Sequence, residues 1–340
     1  MVNLSYYYEI AKNISPIKTT PKVWNYLKYK ISQREAIVKT ARYTPQVAQL
    51  FVTKRCNLDC SYCQVNKILK DGMVDRKAAD ATLEKVKVIF DNPLFSNALL
   101  VDMLGGEPLL AKELDQIVAY LSRRGHIVNV TTNGIKLRER IVDLKQAGVS
   151  RISISCYDTN RKKLEANLAE INQIFPTHTS YVLLRSEIEN HPEKVLELVR
   201  FVRDAGCLST RFLLYRPMGF NKNLDEIIDD TNPAYPELQR QIESVLPGFC
   251  FWPKAVQTKS IKKLCAQLWQ RVGCDSLGDV AVCCGIDENL QGPNSNLYGT
   301  DPELIYNHPV LVNMRKKFLN NSSEPPDVCK TCNYLADPGW

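Results

Sequence analysis

Cys56, Cys60 and Cys63 stand in the stretch Thr53 to Asn66, TKRCNLDCSYCQVN, separated by three residues and then by two. Three thiolates on one short loop can hold three corners of a cubane iron-sulfur cluster and leave its fourth iron open to a ligand. A structural zinc site calls for paired two-residue knuckles or a nearby His, and this loop has neither. The four histidines, His126, His178, His191 and His308, form no ligand spacing.

The elements that must carry this loop follow from length and pattern. A chain of 340 residues, 44% hydrophobic, buries one large domain and a small one. Twelve cysteines, with no apolar signal-like start and no apolar run long enough to cross a bilayer, point to a reducing cytoplasm and to metal ligation rather than disulfides. The formal charge of +7 is concentrated in the first 45 residues, where Lys12, Lys18, Lys22, Lys28, Lys30, Arg34, Lys39 and Arg42 face only Glu9 and Glu35. A segment of that kind suits an acidic partner, nucleic acid or a membrane face; the reading taken is a solvated helical face, which sets nucleic acid aside. Pro16 and Pro21 divide residues 1–45 into two expected helices packed on the main domain.

From Gln46 onward, β-branched runs alternate with amphipathic runs, the pattern of parallel strands joined by crossover helices. The strands expected are Val47 to Thr53, Ala98 to Leu104, Ile127 to Thr132, Arg151 to Cys156, Ser180 to Leu184 and Thr210 to Tyr215. The helices between them fall near Arg76 to Phe90, Ala111 to Arg124, Lys136 to Ala147, Arg161 to Ile174 and Pro192 to Ala205. In such folds chemistry collects where strands end. The second strand ends in Gly105, Gly106 and Glu107, where glycines admit close backbone approach and a carboxylate can accept from an ammonium. The third ends in Thr132, Asn133 and Gly134; Ser153 and Ser155 share a face of the fourth; Arg185 closes the fifth. Between Gly219 and Lys263 the pattern loosens, with an acidic patch and four prolines, and residues 221–264 are read as a linker whose Phe249, Phe251 and Trp252 pack on the barrel or line a cleft.

The three-cysteine loop, with Tyr62 directly before its last Cys and a Gly-Gly-Glu turn after the second strand, resembles the signature of the radical S-adenosylmethionine (SAM) superfamily. The resemblance implies an α/β fold, an open, partial (β/α)6 TIM barrel over residues 46–220. It implies a 4Fe-4S cluster held by Cys56, Cys60 and Cys63, with SAM chelating the open iron. A 5′-deoxyadenosyl radical that takes a substrate hydrogen then follows. On the family's pattern, Tyr62, Gly105, Gly106, Glu107, Asn133, Ser155, Arg185 and Met218 contact SAM, with Glu107 on its amino group and Met218 along the adenine. No residue is assigned as the catalytic donor that quenches the substrate radical, since Tyr62, Tyr181 and Tyr215 are not raised above packing.

The C-terminal stretch carries a second pattern: Cys265, twelve intervening residues to Gly278, four more to Cys283, then Cys329 and Cys332 with two residues between. This resembles the twitch form of the SPASM-like auxiliary-cluster domain and implies a small α+β unit over residues 265–340 holding a second 4Fe-4S cluster on four thiolates. Four thiolates also suit zinc. Gly278 is expected at the tip of a hairpin and Pro309 to Leu319 as a helix. Cys156 and Cys207 are read as packed thiols, while Cys274 and Cys284 are placed beside the second cluster, and Cys284, next to Cys283, leaves the ligand at that corner open between the two. The resemblance implies a cytoplasmic maturase of a ribosomally made precursor peptide, acting by cross-link, epimerisation or backbone excision, with a flavodoxin or ferredoxin as reductant and a separate small leader-binding protein as partner. The alternative is a small-molecule dehydrogenase of amino-sugar or alcohol type.

Overall fold

The computed structural model describes residues 16–32, 44–60, 63, 80–217, 223–258, 265–283, 286–319 and 327–333. The first described element, α1 (Pro16–Ser32), runs through Pro21 without a break, and the remainder of the two helices expected over residues 1–45 lies outside the described residues. Pro21 removes one backbone hydrogen bond, but polar anchors on both sides of it hold the helix to the body of the protein. Lys18 Nζ donates to the Arg123 carbonyl at 2.9 Å, Thr19 Oγ1 to Gly125 at 3.1 Å and Lys22 Nζ to Ser96 at 2.7 Å. Asn25 Nδ2 reaches the Asn97 carbonyl at 3.2 Å. These acceptors lie just at or beyond helix C-termini, where carbonyls lack partners and cations are favoured. A Cβ at Gly125 would stand 2.6 Å from Lys18 Cβ, so glycine permits the approach. The basic segment is therefore only partly a solvated face.

The body alternates strand and helix. It begins with β1 (Val47–Phe51), α2 (Leu83–Asp91), α3 (Pro93–Ser96), β2 (Leu100–Leu104), α4 (Leu114–Arg123), β3 (Ile127–Thr132), α5 (Leu137–Ala147) and β4 (Arg151–Ser155). It continues with α6 (Asp158–Ile174), β5 (His178–Leu183), α7 (Arg185–Asn190), α8 (Pro192–Asp204) and β6 (Ser209–Leu214). Six parallel strands in the order β1 to β6 give the partial barrel expected from the periodicity. Val101, Met103, Val128, Val130, Ile152 and Ile154 are fully buried against Ile117, Leu121, Ile141, Leu144, Leu168 and Ile171 of the crossover helices, as strands covered on one face by helices require.

The stretch expected to be a linker is instead a further unit of the barrel. It forms α9 (Ala234–Val245) and β7 (Cys250–Phe251), and β7 pairs parallel with β6 through Thr210↔Cys250 and Arg211↔Phe251. Its prolines punctuate rather than prevent structure: Pro233 caps α9, Pro236 lies in its first turn, Pro247 follows its end and Pro253 follows β7. Tyr235, Leu238 and Ile242 are buried with Phe212 and Leu214, and the Trp252 ring lies 4.3 Å from that of Phe212.

The C-terminal part forms α10 (Gln267–Gln270), β8 (Arg271–Cys274), β9 (Val280–Cys283), β10 (Ile286–Asn289), α11 (Pro302–Tyr306), α12 (Pro309–Leu319) and α13 (Asp327–Lys330). The hairpin and the helix over 309–319 match expectation. The sheet does not divide at the expected boundary, because β8 pairs parallel with β1 and carries the hairpin onto the barrel edge, giving one ten-stranded sheet from β10 to β7. Among the described residues no helix is long and apolar enough to cross a membrane.

Burial, and then the Arg124 guanidinium, lower the Lys22 ammonium to about 8. The unfolded chain, with an ordinary lysine near ~10.4, binds more protons above that value, so stability should rise as pH climbs from about 8 toward about 10. Thermal unfolding of the wild type should show this slope and Lys22→Met should flatten it; equal slopes would exclude Lys22 as its source.

Candidate functional site

The Cys56 loop leaves the end of β1 and is fastened at once. Thr53 Oγ1 donates to Asp80 Oδ1 at 2.7 Å, and Arg55 grips both oxygens of Asp80 at 3.0 and 2.5 Å while its Nη2 also meets the Leu110 carbonyl. Burial would raise the Asp80 carboxyl, but the bonds from Arg55 and Thr53 outweigh it and hold it below its ordinary value. Lys54 pairs with Asp275 of the β8–β9 turn at 2.6 Å, both side chains largely enclosed.

The Gly-Gly-Glu turn supplies the opposing wall. Gly106 N–H donates to the Thr53 carbonyl at 2.8 Å and Glu107 N–H to the Arg55 carbonyl at 2.7 Å. A Cβ on Gly105 would stand 2.5 Å from Thr53 O, and one on Gly106 2.2 Å from Arg55 O. The glycines are thus required by the backbone of the cysteine loop itself.

Sequence reading gives Glu107 to the ammonium of SAM; in the structure its carboxylate accepts three hydrogen bonds from the protein. The residue is 1% exposed. Its Oε1 accepts from Thr132 Oγ1 at 2.6 Å and from Leu109 N–H at 3.1 Å, and its Oε2 from Asn133 N–H at 2.7 Å. Burial raises this carboxyl above its ordinary value despite the three donors. With its oxygens turned inward, Glu107 clamps the end of β2 to the end of β3.

Asn133 extends the clamp. Its Nδ2 donates to Asn57 Oδ1 at 2.7 Å, directly behind Cys56, its Oδ1 accepts from Ile135 N–H at 3.0 Å, and its carbonyl accepts from Asn160 Nδ2 at 2.7 Å. Asn160 also donates to the Ser155 carbonyl at 2.8 Å and closes a capping box with Tyr157. Asn57, Tyr157, Thr159 and Asn160 were not singled out by the sequence; the only local signal is the polar run after the fourth strand, typical of a helix start.

The thiols of Cys56, Cys60 and Cys63 are near enough to feel one another's charge. Burial raises the Cys56 thiol, and Cys60 is pushed up to about 11 by burial, then by Cys63 and Cys56, against a hydrogen bond from Thr159. Leu58 N–H points at Cys56 Sγ at 3.4 Å, and Cys63 N–H donates to the Cys60 carbonyl at 3.1 Å. Cys56 and Cys60, half-buried and raised by burial and by neighbouring thiols, are donors in need of a cationic metal, which fits a cluster. Among the described residues no three His, Cys, Asp or Glu side chains converge as ligands of a single ion. A cubane differs, since each thiolate meets its own iron.

Of the second set, Cys265 and Cys283 pack against the same buried patch of Tyr29, Leu268 and Trp269. Cys329, on α13, is pushed up to about 11 by burial and then by Cys332, and Cys332 N–H donates to its carbonyl at 3.2 Å. The Arg216 guanidinium at the end of β6 reaches Cys332 Sγ at 4.0 Å. Cys156, Cys207, Cys250 and Cys274 are buried. Gly278, φ +86°, turns the hairpin as expected.

The remaining expected contacts are scattered. Ser155 Oγ lies 3.4 Å from Ser180 Oγ. Arg185 opens α7 with its guanidinium on Glu189 at 2.8 Å, both side chains 38% exposed, so the structure places it in a surface pair rather than in the barrel. Tyr62, Met218 and Cys284 lie outside the described residues. Inside the barrel a cavity of about 580 Å³ is lined by residues including Asn129, Thr131, Ser153, Ser180, Tyr215 and Asn333.

The family model for the Radical SAM superfamily matches residues 50–231, more than half of the chain. The chain belongs to that superfamily. A radical SAM chain is an enzyme that uses SAM and a 4Fe-4S cluster. Among curated relatives, GTP 3′,8-cyclase of Aquifex aeolicus is 28% identical over 195 residues, covering 51% of this chain and 58% of that protein. The chain therefore spans little more than half the length of that relative. GTP 3′,8-cyclase of Clostridium botulinum is 26% identical over 298 residues, covering 77% and 90%. The solved structure of Streptococcus suis SuiB bound to S-adenosylmethionine superposes with a TM-score of 0.64 at 15% identity, covering 92% of this chain and 75% of that one. The same protein bound to precursor peptide SuiA gives 0.62. At that identity the likeness is one of fold.

Replacing Glu107 by Gln puts a donor against at least one of three donors, and should lower unfolding free energy by about 2 kcal/mol. Asn133→Ala should leave the fold intact and speed iron loss to a chelator. Chemical denaturation and a timed chelator challenge of the reconstituted protein measure the two effects, and unchanged values would remove the clamp.

Proposed function

We propose that this radical SAM enzyme modifies a ribosomally made precursor peptide after abstracting hydrogen from it. The cluster would be held by Cys56, Cys60 and Cys63, and when bound it supplies the low-potential electron that cleaves SAM. The chain's own residues hold that chemistry in place. Gly105 and Gly106 bring the β2 turn against the cysteine loop, Glu107 and Asn133 lock the turn and the loop together, and Ser155 with Tyr62 and Met218 belongs to the proposed SAM surface. The barrel wall keeps water from the radical.

A second 4Fe-4S cluster on Cys265, Cys283, Cys329 and Cys332 belongs to the same proposal, as does a flavodoxin or ferredoxin reductant. The observation that carries the peptide reading is the extent of the SuiB likeness, which covers 92% of this chain. SuiB has been solved with a precursor peptide bound. The relatives named GTP 3′,8-cyclase favour a second reading, a small-molecule substrate that fits a cavity of about 580 Å³.

Anaerobic reconstitution followed by SAM, reductant and candidate precursor peptides separates the two. Deoxyadenosine that rises together with a changed peptide mass supports the maturase; turnover with a small alcohol or a nucleotide and no altered peptide overturns it. Changing Cys56, Cys60 and Cys63 together to Ala should abolish deoxyadenosine formation while iron on the second set remains. Cys329→Ala should lower iron and stop product yet leave abortive SAM cleavage, and normal turnover would make the second set dispensable.

A further inference from the structure

The radical chemistry is housed at the strand ends, but the lumen beneath carries charge that it does not use. Arg151 opens β4, Arg211 lies within β6 and Arg271 opens β8, and all three line the one cavity, with Arg216 at the end of β6. Asp102 of β2 is the single carboxylate among the lining residues. It is already engaged: Asn129 Nδ2 donates to its Oδ1 at 2.9 Å, and Arg271 Nη1 stands 4.0 Å from its Oδ2. The field of the arginines reaches the wall itself. His178, buried between β4 and β6 with Nδ1 2.8 Å from Ser209 Oγ, is held neutral, lowered to about 3 by burial and then by Arg151 and Arg211. It therefore adds no further cation.

Among the described lining residues, four guanidiniums against one carboxylate focus positive potential inward. Guanidinium forks match flat oxyanions and bind them through paired, charge-assisted hydrogen bonds. The rest of the lining suits an organic body around such a group: Phe251 and Trp252 on one side, Ser153 and Ser180 on the other.

We propose that the lumen seats an oxyanion of the substrate, a carboxylate or a phosphate, among Arg151, Arg211 and Arg271. The inference rests on the reading that substrate enters the barrel of a radical SAM enzyme. It deepens that reading by naming the substrate's anchor: a negatively charged group set deep in the lumen, so that the carbon to be attacked lies toward the cysteine loop. On the peptide reading the anchor is an Asp or Glu side chain or a terminal carboxylate.

The test is equilibrium binding to the reconstituted full chain, which needs no turnover. Titration calorimetry would use tripolyphosphate as the phosphate probe and N-acetyl-glutamyl-glutamate as the carboxylate probe, at low and at moderate salt. Saturable one-to-one binding of either probe is expected, weakened at least about ten-fold in Arg211→Gln and in Arg151→Gln. Arg203→Gln, an exposed helix position beside Asp204, removes the same charge elsewhere and should bind as the wild type does. Preference for the dipeptide names a carboxylate, and preference for tripolyphosphate names a phosphate. Absence of saturable binding, or equal losses in all three variants, overturns the assignment. Circular dichroism confirms that each variant is folded, and Arg211→Lys, keeping charge but not the fork, should recover only part of the affinity. If the lumen binds an anion while no peptide is ever modified, the peptide reading falls and the anchor stands; if peptides are modified equally well by Arg211→Gln, the anchor falls alone.

Discussion

The rest of the site depends on one close backbone contact, that of Gly105 and Gly106 with Thr53 to Arg55. Two peptide hydrogen bonds of 2.8 and 2.7 Å join these segments, and any Cβ on either glycine would collide with a carbonyl. The contact extends the pairing of β1 and β2 beyond the ends of both strands, so the cysteine loop begins as a continuation of the sheet. A loop anchored in this way loses little further entropy when it closes around a metal, because its first residues are already ordered.

Around that contact the chain spends buried polar groups on position. Glu107 is an enclosed carboxylate, expensive unless its oxygens are satisfied, and three donors satisfy them: Thr132 Oγ1 and Asn133 N–H at the end of β3, and Leu109 N–H in its own turn. The chain of bonds then passes through Asn133 to Asn57 between the cysteines and through Asn160 to the end of β4. Lys54 and Asp275 add a tie from the C-terminal hairpin, which itself leans on β1. The loop is thus held from β1, β2, β3 and β8 at once, and movement in any one of them is felt at the thiols.

Elements outside the six central strands reinforce the barrel from two sides. Lysines of α1 dock on carbonyls that the helices α3 and α4 leave without internal partners, which uses the basic character of this segment inside the protein. Even so, Ile17, Trp24, Leu27 and Ile31 remain exposed on that helix. At the other edge, α9 and β7 cover the apolar side of β6 and bring Phe251 and Trp252 to the lumen. The cavity wall is therefore made by the barrel strands together with elements on either side of them.

Periodicity and punctuation alone determined the six strands, the crossover helices, the hairpin around Gly278 and the helix over 309–319, because each follows from local backbone preference and a buried face. The spacing of Cys56, Cys60 and Cys63 likewise stood in the sequence, since three ligands on one loop need no long-range contact to be seen. Long-range packing decided the rest. Pro21 is tolerated inside α1 because Lys18, Thr19 and Lys22 bind residues about one hundred or seventy positions away. The proline-rich stretch after the sixth strand became α9 and β7 because β6 offered an open edge. Whether Glu107 faces a ligand or the protein, whether Arg185 faces the barrel or the surface, and which arginines meet in one lumen depend on side chains brought together across several strands, and no local pattern in the sequence records that meeting.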